Sequence, residues 1–312
     1  MSLNFRRMLF SFQVATYLRM LFSVLIDADY TDSEEFCKDI KRNISGDSIS
    51  VLHTRLITSL PKNTGSDIDN IRAEVLQNCL EAATEPQGLF SLTVPTGGGK
   101  TLSSLAFALS HAKQHGLRRV IYVIPYTSII EQNALVFKEA LGEKNVLEHH
   151  SNFDAASLDD DEDEDDEDAR RLKWASENWD IPIVVTTNVQ FFESLFAVKT
   201  TKARKLHNIA KSVVIFDEAQ MLPSEYLSPC MKSISELILN YGVTAVLCSA
   251  TQPLVEKFVY EGLQTTEIAA NPTSLSERLK RVAYSFVGKK TDDELLESLQ
   301  AEPTSKAGGE DK

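Results

Sequence analysis

The chain has 312 residues, 43% of them hydrophobic and 25% charged, with a formal net charge of −13. That length suits about two domains, and no apolar run approaches the ~18 residues that span a bilayer, so a membrane protein is excluded. Four cysteines, Cys37, Cys79, Cys230 and Cys248, stand far apart with no C-x-x-C pair, which suits a reducing, cytoplasmic setting and excludes a cysteine zinc cluster.

The charge is local. Residues 159–168 are ten consecutive acids, and without them the balance is −3. Ten like charges repel and cannot make a packed face, so the tract reads as a surface loop. A metal-collecting loop and a nucleic-acid mimic are the sharper alternatives.

In chain order, residues 1–60 read as helices. "FRRMLFSFQVATYLRMLFSVLI" carries apolar residues at helical spacing, and Asp32 or Ser33 is placed to cap a further helix. "PKNTGSD" is a linker, and "DIDNIRAEVLQNCLEAAT" an amphipathic helix. From residue 89 short apolar strands alternate with helices: Leu89–Val94, Arg119–Ile124, Asn145–Glu148, Ile181–Thr186, Ser212–Phe216 and Thr244–Cys248. This alternation predicts an α/β fold with a mostly parallel central sheet and ligands at the carboxyl ends of its strands.

Three strand ends carry chemistry. "LTVPTGGGKTLSSLAFAL" is strand, glycine loop and helix, with Val94 where the phosphate-loop fingerprint has its first glycine. Thr96, Gly97, Gly98 and Gly99 would bring backbone N–H groups to phosphate oxygens, Lys100 would reach the β- and γ-phosphates, and Thr101 would hold Mg²⁺. "SVVIFDEAQMLP" delivers Asp217 and Glu218 to a strand end, one for the Mg²⁺ shell and one for the attacking water. "AVLCSATQPL" ends a third strand in Ser249 and Thr251, whose hydroxyls could bond the Asp217/Glu218 loop and sense the γ-phosphate.

These elements, in this order, resemble motifs I, II and III of superfamily 2 helicases, with D-E-A-Q as the motif II box. "GLFSLTVPTGGGKTLSSLAFAL", "YVIPYTSIIEQN", "RKLHNIAKSVVIFDEAQMLP" and "LCSATQP" look like the CRISPR-associated helicase–nuclease of type I systems, over roughly residues 70–260. The resemblance implies a RecA-like P-loop ATPase domain over 61–285, preceded by a helical remnant of an HD-type nuclease domain over 1–60. Residues 286–312 would lead into a second RecA-like domain and end in a frayed tail. It also implies ATP and Mg²⁺ as cofactors, single-stranded DNA and an RNA-guided surveillance complex as partners, and a divalent transition metal for the intact protein's nuclease.

The same resemblance casts Pro125, Thr127 and Ser128 as motif Ia and Thr186, Thr187 and Asn188 as motif Ib, the backbone contacts to single-stranded DNA; hydroxyls at strand ends are also plain helix caps. Lys202, Arg204 and Lys205 form a basic segment that reads as a solvated helix face, with nucleic-acid contact as the alternative. "LFSVLIDADYTDSEEF" resembles the last helix of the nuclease domain, with Asp29 as an orphan metal ligand and Asp27 the second choice. No histidine precedes His53 and no His-Asp doublet occurs, so nuclease activity is not expected of these residues. Arg278, Lys280 and Arg281 lie ahead of the second domain and are not read as an arginine finger, whose loss costs about 10³–10⁵ in turnover. The expectation is a chain that binds Mg²⁺·ATP but hydrolyses it feebly alone. The alternatives are the motor subunit of a restriction-type endonuclease and a nucleotide-binding interaction module without turnover.

Overall fold

The computed structural model describes residues 3–39, 41–42, 46–61, 63–150, 167–251 and 258–280, with Gly288, Thr291 and Glu294. Nearly all of the acidic tract and the end of the chain fall outside them. Met1–Leu279 form one compact unit and Lys280–Lys312 a second.

Among the described residues, seven strands make one sheet: β1 (Leu89–Thr93), β2 (Arg119–Ile124), β3 (Val146–His149), β4 (Ile183–Thr187), β5 (Ser212–Phe216), β6 (Thr244–Ser249) and β7 (Thr265–Glu267). Their order is β3-β4-β2-β5-β6-β1-β7, and every pairing is parallel. Parallel strands need helical crossovers, which cover both faces, so the strands read as unbroken apolar runs. On β2, Val120, Tyr122 and Ile124 join one core and Ile121 and Val123 the other.

The first core lies under α2 (Ile49–Ser59), α3 (Asp67–Ala82), α4 (Lys100–His115) and α5 (Thr127–Leu141), through residues such as Leu52, Val75, Leu105 and Phe137. The second lies under α1 (Leu3–Lys38), α6 (Glu167–Asn178), α7 (Asn188–Phe196) and α9 (Leu227–Tyr241), through Met20, Ala175, Phe191 and Ile234. Two short helices, α8 (Thr200–Ala203) and α10 (Pro272–Arg278), are also present.

Two expectations about elements change. Asp32 and Ser33 cap nothing, because α1 runs unbroken to Lys38. Its sequence holds no glycine or proline to stop it, and it ends where Asp39 turns to φ 51°. Strand β7 was not expected, since "TTE" is three residues with no apolar alternation; it forms because the edge of β1 accepts it. No helix among the described residues is long and apolar enough to cross a membrane.

Candidate nucleotide site

Three neighbouring strands, β5, β6 and β1, bring the three motifs to one edge. Val94 N donates to Ser249 O at 3.0 Å, which ties the start of the glycine loop to the end of β6. The loop then turns tightly, with Gly98 N donating to Pro95 O at 3.1 Å. Gly97 and Gly99 hold φ of 90° and 82°, the left-handed region that glycine enters without a Cβ clash. Gly98 is excluded from bearing a side chain for another reason: a Cβ there would stand 2.5 Å from Val94 Cγ1 and 3.2 Å from Leu279 Cδ1. The unusual Val94 and the extra glycine fit one another.

The loop opens directly onto α4. Ser48, Ser66 and Thr187 cap α2, α3 and α7 through their hydroxyls, but Gly99 gives α4 no side-chain cap. First-turn N–H groups without a side-chain acceptor, at the positive end of a helix dipole, suit phosphate oxygens. The donor set therefore fits a nucleotide's phosphates, which the backbone of Thr96–Gly99 and Lys100 could hold. Arg72, on α3, steadies the loop from outside by donating to Gly97 O at 3.1 Å.

Lys100 joins the first motif to the second. Its ammonium lies 3.3 Å from Asp217 Oδ1 and donates to Glu218 Oε1. Burial, the largest influence, draws the lysine's pKa down, but the two carboxylates outweigh it and hold the pKa above the ordinary value. Asp217 is buried, and that burial, reinforced by the Glu218 charge, raises its carboxyl despite Lys100. Glu218 goes the other way: burial raises it, but bonds from Lys100 and Gln220 outweigh this and keep it below the usual range. The two adjacent carboxyls are thus shifted in opposite directions by their different burial and partners.

The backbone aims Glu218 as well. Asp217 N donates to Val123 O at 2.8 Å, continuing the sheet for one residue. Glu218 then adopts φ 47°, ψ 53°, a region a non-glycine residue occupies at a cost. Gln220 Nε2 donates to Glu218 Oε2 at 2.5 Å, a role for the fourth DEAQ residue that the sequence did not suggest.

The third motif is placed between the other two, and among the described residues no hydrogen bond joins Ser249 or Thr251 to Asp217 or Glu218. Ser249 Oγ donates to Thr251 O, and Thr251 N donates back to Ser249 Oγ at 3.1 Å. Its hydroxyl is engaged in its own turn, as for an ordinary strand-to-loop transition.

The residues read as nucleic-acid contacts lie at the ends of β2 and β4, beyond β5 from the glycine loop. Pro125 is half-buried after β2, and Thr127 and Ser128 open α5. Thr186 Oγ1 donates to His149 O at 2.8 Å, and Thr187 Oγ1 accepts from Gln190 N at 3.1 Å as a helix cap. Both hydroxyls are used inside the protein. Asn188 is buried, and its Oδ1 has no partner among the described residues.

Asp29 is exposed on α1, and no group of three or more His, Cys, Asp or Glu side chains among the described residues could hold a metal ion. Asp27 is the acid drawn inward: it accepts from Arg204 Nε at 2.7 Å and Asn178 Nδ2 at 3.0 Å. Arg204 and Lys205 are buried rather than solvated. Burial, with Lys202 and Arg204 nearby, brings the Lys205 pKa down to about 8.

A protein-family model described as DEAD/DEAH box helicase matches residues 70–258, more than half of the chain. The chain is 31% identical over 196 residues to the CRISPR-associated nuclease/helicase Cas3 of Haloferax volcanii, an alignment covering 55% of this chain and 20% of that protein. Among solved structures it is similar to T. fusca Cas3 with ATP, at 24% identity and a TM-score of 0.48, covering 64% of this chain and 22% of that one. It is also similar to Mss116p bound to ssRNA and AMP-PNP, at 15% identity and a TM-score of 0.46, covering 72% and 42% of the two chains. The chain thus spans about a fifth of the length of the CRISPR-associated proteins it matches.

Proposed function

The chain belongs to the DEAD/DEAH box helicase family, and from that premise we propose that it carries the first ATP-binding domain of a helicase–nuclease that moves along single-stranded DNA in CRISPR interference. The likeness to the Haloferax protein supports this reading. We assign the ATPase domain to 61–285, the helices of 1–60 to the end of a nuclease domain, and 286–312 to the lead-in to a second RecA-like domain.

The observation that carries the reading is Lys100, at the start of α4, held between Asp217 and Glu218 at the end of β5. Mg²⁺·ATP, when bound, supplies a γ-phosphorus open to attack and a divalent charge that neutralises its oxygens. Lys100 would hold phosphate oxygens in place of its carboxylate partners, one anion for another, and so keep its proton. The backbone of Thr96–Gly99 orients the phosphate chain. Thr101 and Asp217 would hold the metal. Glu218, kept ionised, accepts a proton from the attacking water, and its fixed backbone aims the carboxylate. Thr186, Thr187 and Asn188 would meet the DNA backbone through main-chain groups, the Asn188 amide and the Thr187 hydroxyl. That hydroxyl accepts from Gln190 N and keeps its proton to donate, whereas the Thr186 hydroxyl donates to His149 O.

ATP turnover by the 312-residue chain, with Mg²⁺ and with and without single-stranded DNA, tests this beside Lys100→Ala. Binding by the wild type with slow turnover, both lost in the variant, is the expected result. Nucleotide binding that survives Lys100→Ala sinks the assignment.

A further inference from the structure

Glu267 closes β7, eighteen residues beyond Ser249, outside every helicase-like motif read in the sequence. Its carboxylate accepts four hydrogen bonds. Oε1 takes Thr93 N and Ala269 N, each at 3.0 Å. Oε2 takes Ser91 Oγ at 2.8 Å and Thr93 Oγ1 at 2.7 Å. The ladder explains why. β7 pairs with β1 only as far as Ser91, with Ile268 N donating to Ser91 O at 2.8 Å. The next outward donor on β1 is Thr93 N, one residue before Val94, and the Glu267 side chain takes the place of the strand that has ended. The same stretch returns at α10, where Leu279 packs against Gly98 and Arg278 Nη1 donates to Glu74 Oε2 at 2.6 Å.

We propose that Glu267 is a positioning residue for the phosphate loop: its carboxylate fixes the end of β1 from which the loop springs, while Leu279 bears on the loop's middle. This rests on the reading of residues 94–101 as a nucleotide cradle. The role depends on reach and acceptor geometry rather than on charge. A glutamine can keep its carbonyl towards the two N–H donors and turn its amide towards the two hydroxyls, which can accept as well as donate. An aspartate keeps the charge but is one methylene short.

The test is equilibrium binding of a fluorescent ADP analogue with Mg²⁺ to the whole chain, with thermal melting of each variant measured alongside. Glu267→Gln should bind within about threefold of wild type, and Glu267→Asp and Glu267→Ala about tenfold or more weakly, the scale of one hydrogen bond. Leu279→Ala should weaken binding in the same direction. The proposal is overturned if Asp binds well and Gln does not, since charge would then be the agent. It is also overturned if the variants melt earlier but, still folded at low temperature, bind as tightly as wild type, since Glu267 would then only staple an edge strand. Failure of the wild type itself to bind the analogue would instead remove the nucleotide reading beneath it.

Discussion

Lys100 Nζ lies 3.3 Å from Asp217 Oδ1, with only about a tenth of either side chain exposed. Removing the lysine leaves Asp217 and Glu218 as neighbouring carboxylates without their cation. Lys100→Ala should therefore cost about 2–4 kcal/mol of stability as well as nucleotide affinity, because the penalty is an uncompensated buried charge. Adding Asp217→Asn to that variant should return at least about 1 kcal/mol of the loss, since it removes one of the two charges. Urea unfolding of the two single variants and the double variant checks this, and strict additivity would show that the three groups do not share one electrostatic balance.

Glu218 sits at φ 47°, so part of its placement is strained backbone. Glycine relieves the strain, although it also adds freedom to the unfolded chain. Glu218→Gly should come out more stable than Glu218→Ala by about 0.5–1 kcal/mol net. Equal melting curves for the two would mean that this conformation costs the fold nothing.

Gly98 and Val94 form a size pair. A methyl at 98 meets Val94 Cγ1 at 2.5 Å, and valine has little rotamer freedom with which to yield. Gly98→Ala should destabilise by about 1–3 kcal/mol, as overpacking does. Val94→Ala, mild by itself, should suppress most of that loss in the double variant. If suppression fails, the clash with Pro95 O and Leu279 is the limiting one, and the loop's odd first residue has no link to its glycine run.

The strands were legible because both faces of a parallel sheet are covered, which leaves apolar runs such as Val213–Phe216 with no polar interruption. The glycine turn ahead of α4 was legible because glycines at positive φ and a helix start have fixed local geometry. What stayed hidden depends on contacts distant in sequence. Glu267 looks like any glutamate until β1 runs out of a partner strand, and Asp27 like any helix acid until Arg204 arrives. The basic run around Lys202 gave the opposite error: its charges were visible, but not that Arg204 and Lys205 point inward.

Asp27 and Asp29, two residues apart on α1, should separate sharply under substitution. Asp27 is buried against Arg204 Nε and Asn178 Nδ2, and Asp27→Ala would strand a buried guanidinium that, among the described residues, keeps Glu177 as its acid partner. That should cost about 2–4 kcal/mol. Asp29→Ala, at an exposed position, should stay within about 0.5 kcal/mol of wild type. Thermal melts of both decide it; a large loss at Asp29 would point to a contact the fold does not show.

His111 gives the fold an acid-sensitive point. It is fully buried, stacked on Phe107 with ring centroids 5.2 Å apart. Its Nδ1 is 3.0 Å from Ala83 O and its Nε2 2.9 Å from Thr244 Oγ1. A carbonyl can only accept, so Nδ1 carries the proton and Nε2 accepts from the threonine. Burial, with His115 adding to it, lowers the imidazole pKa from 6.5 to about 4. The unfolded chain thus binds the proton first as pH falls. The stabilisation from the neutral ring is complete above pH 6.5 and is lost progressively as pH drops towards 4. Between pH 7 and 5 the loss should be about 2 kcal/mol. His111→Gln should be less stable than wild type at pH 7.5 but lose correspondingly less between pH 7 and 5. Urea unfolding across that range measures both slopes; parallel slopes would mean that His111 takes up no proton differentially on unfolding.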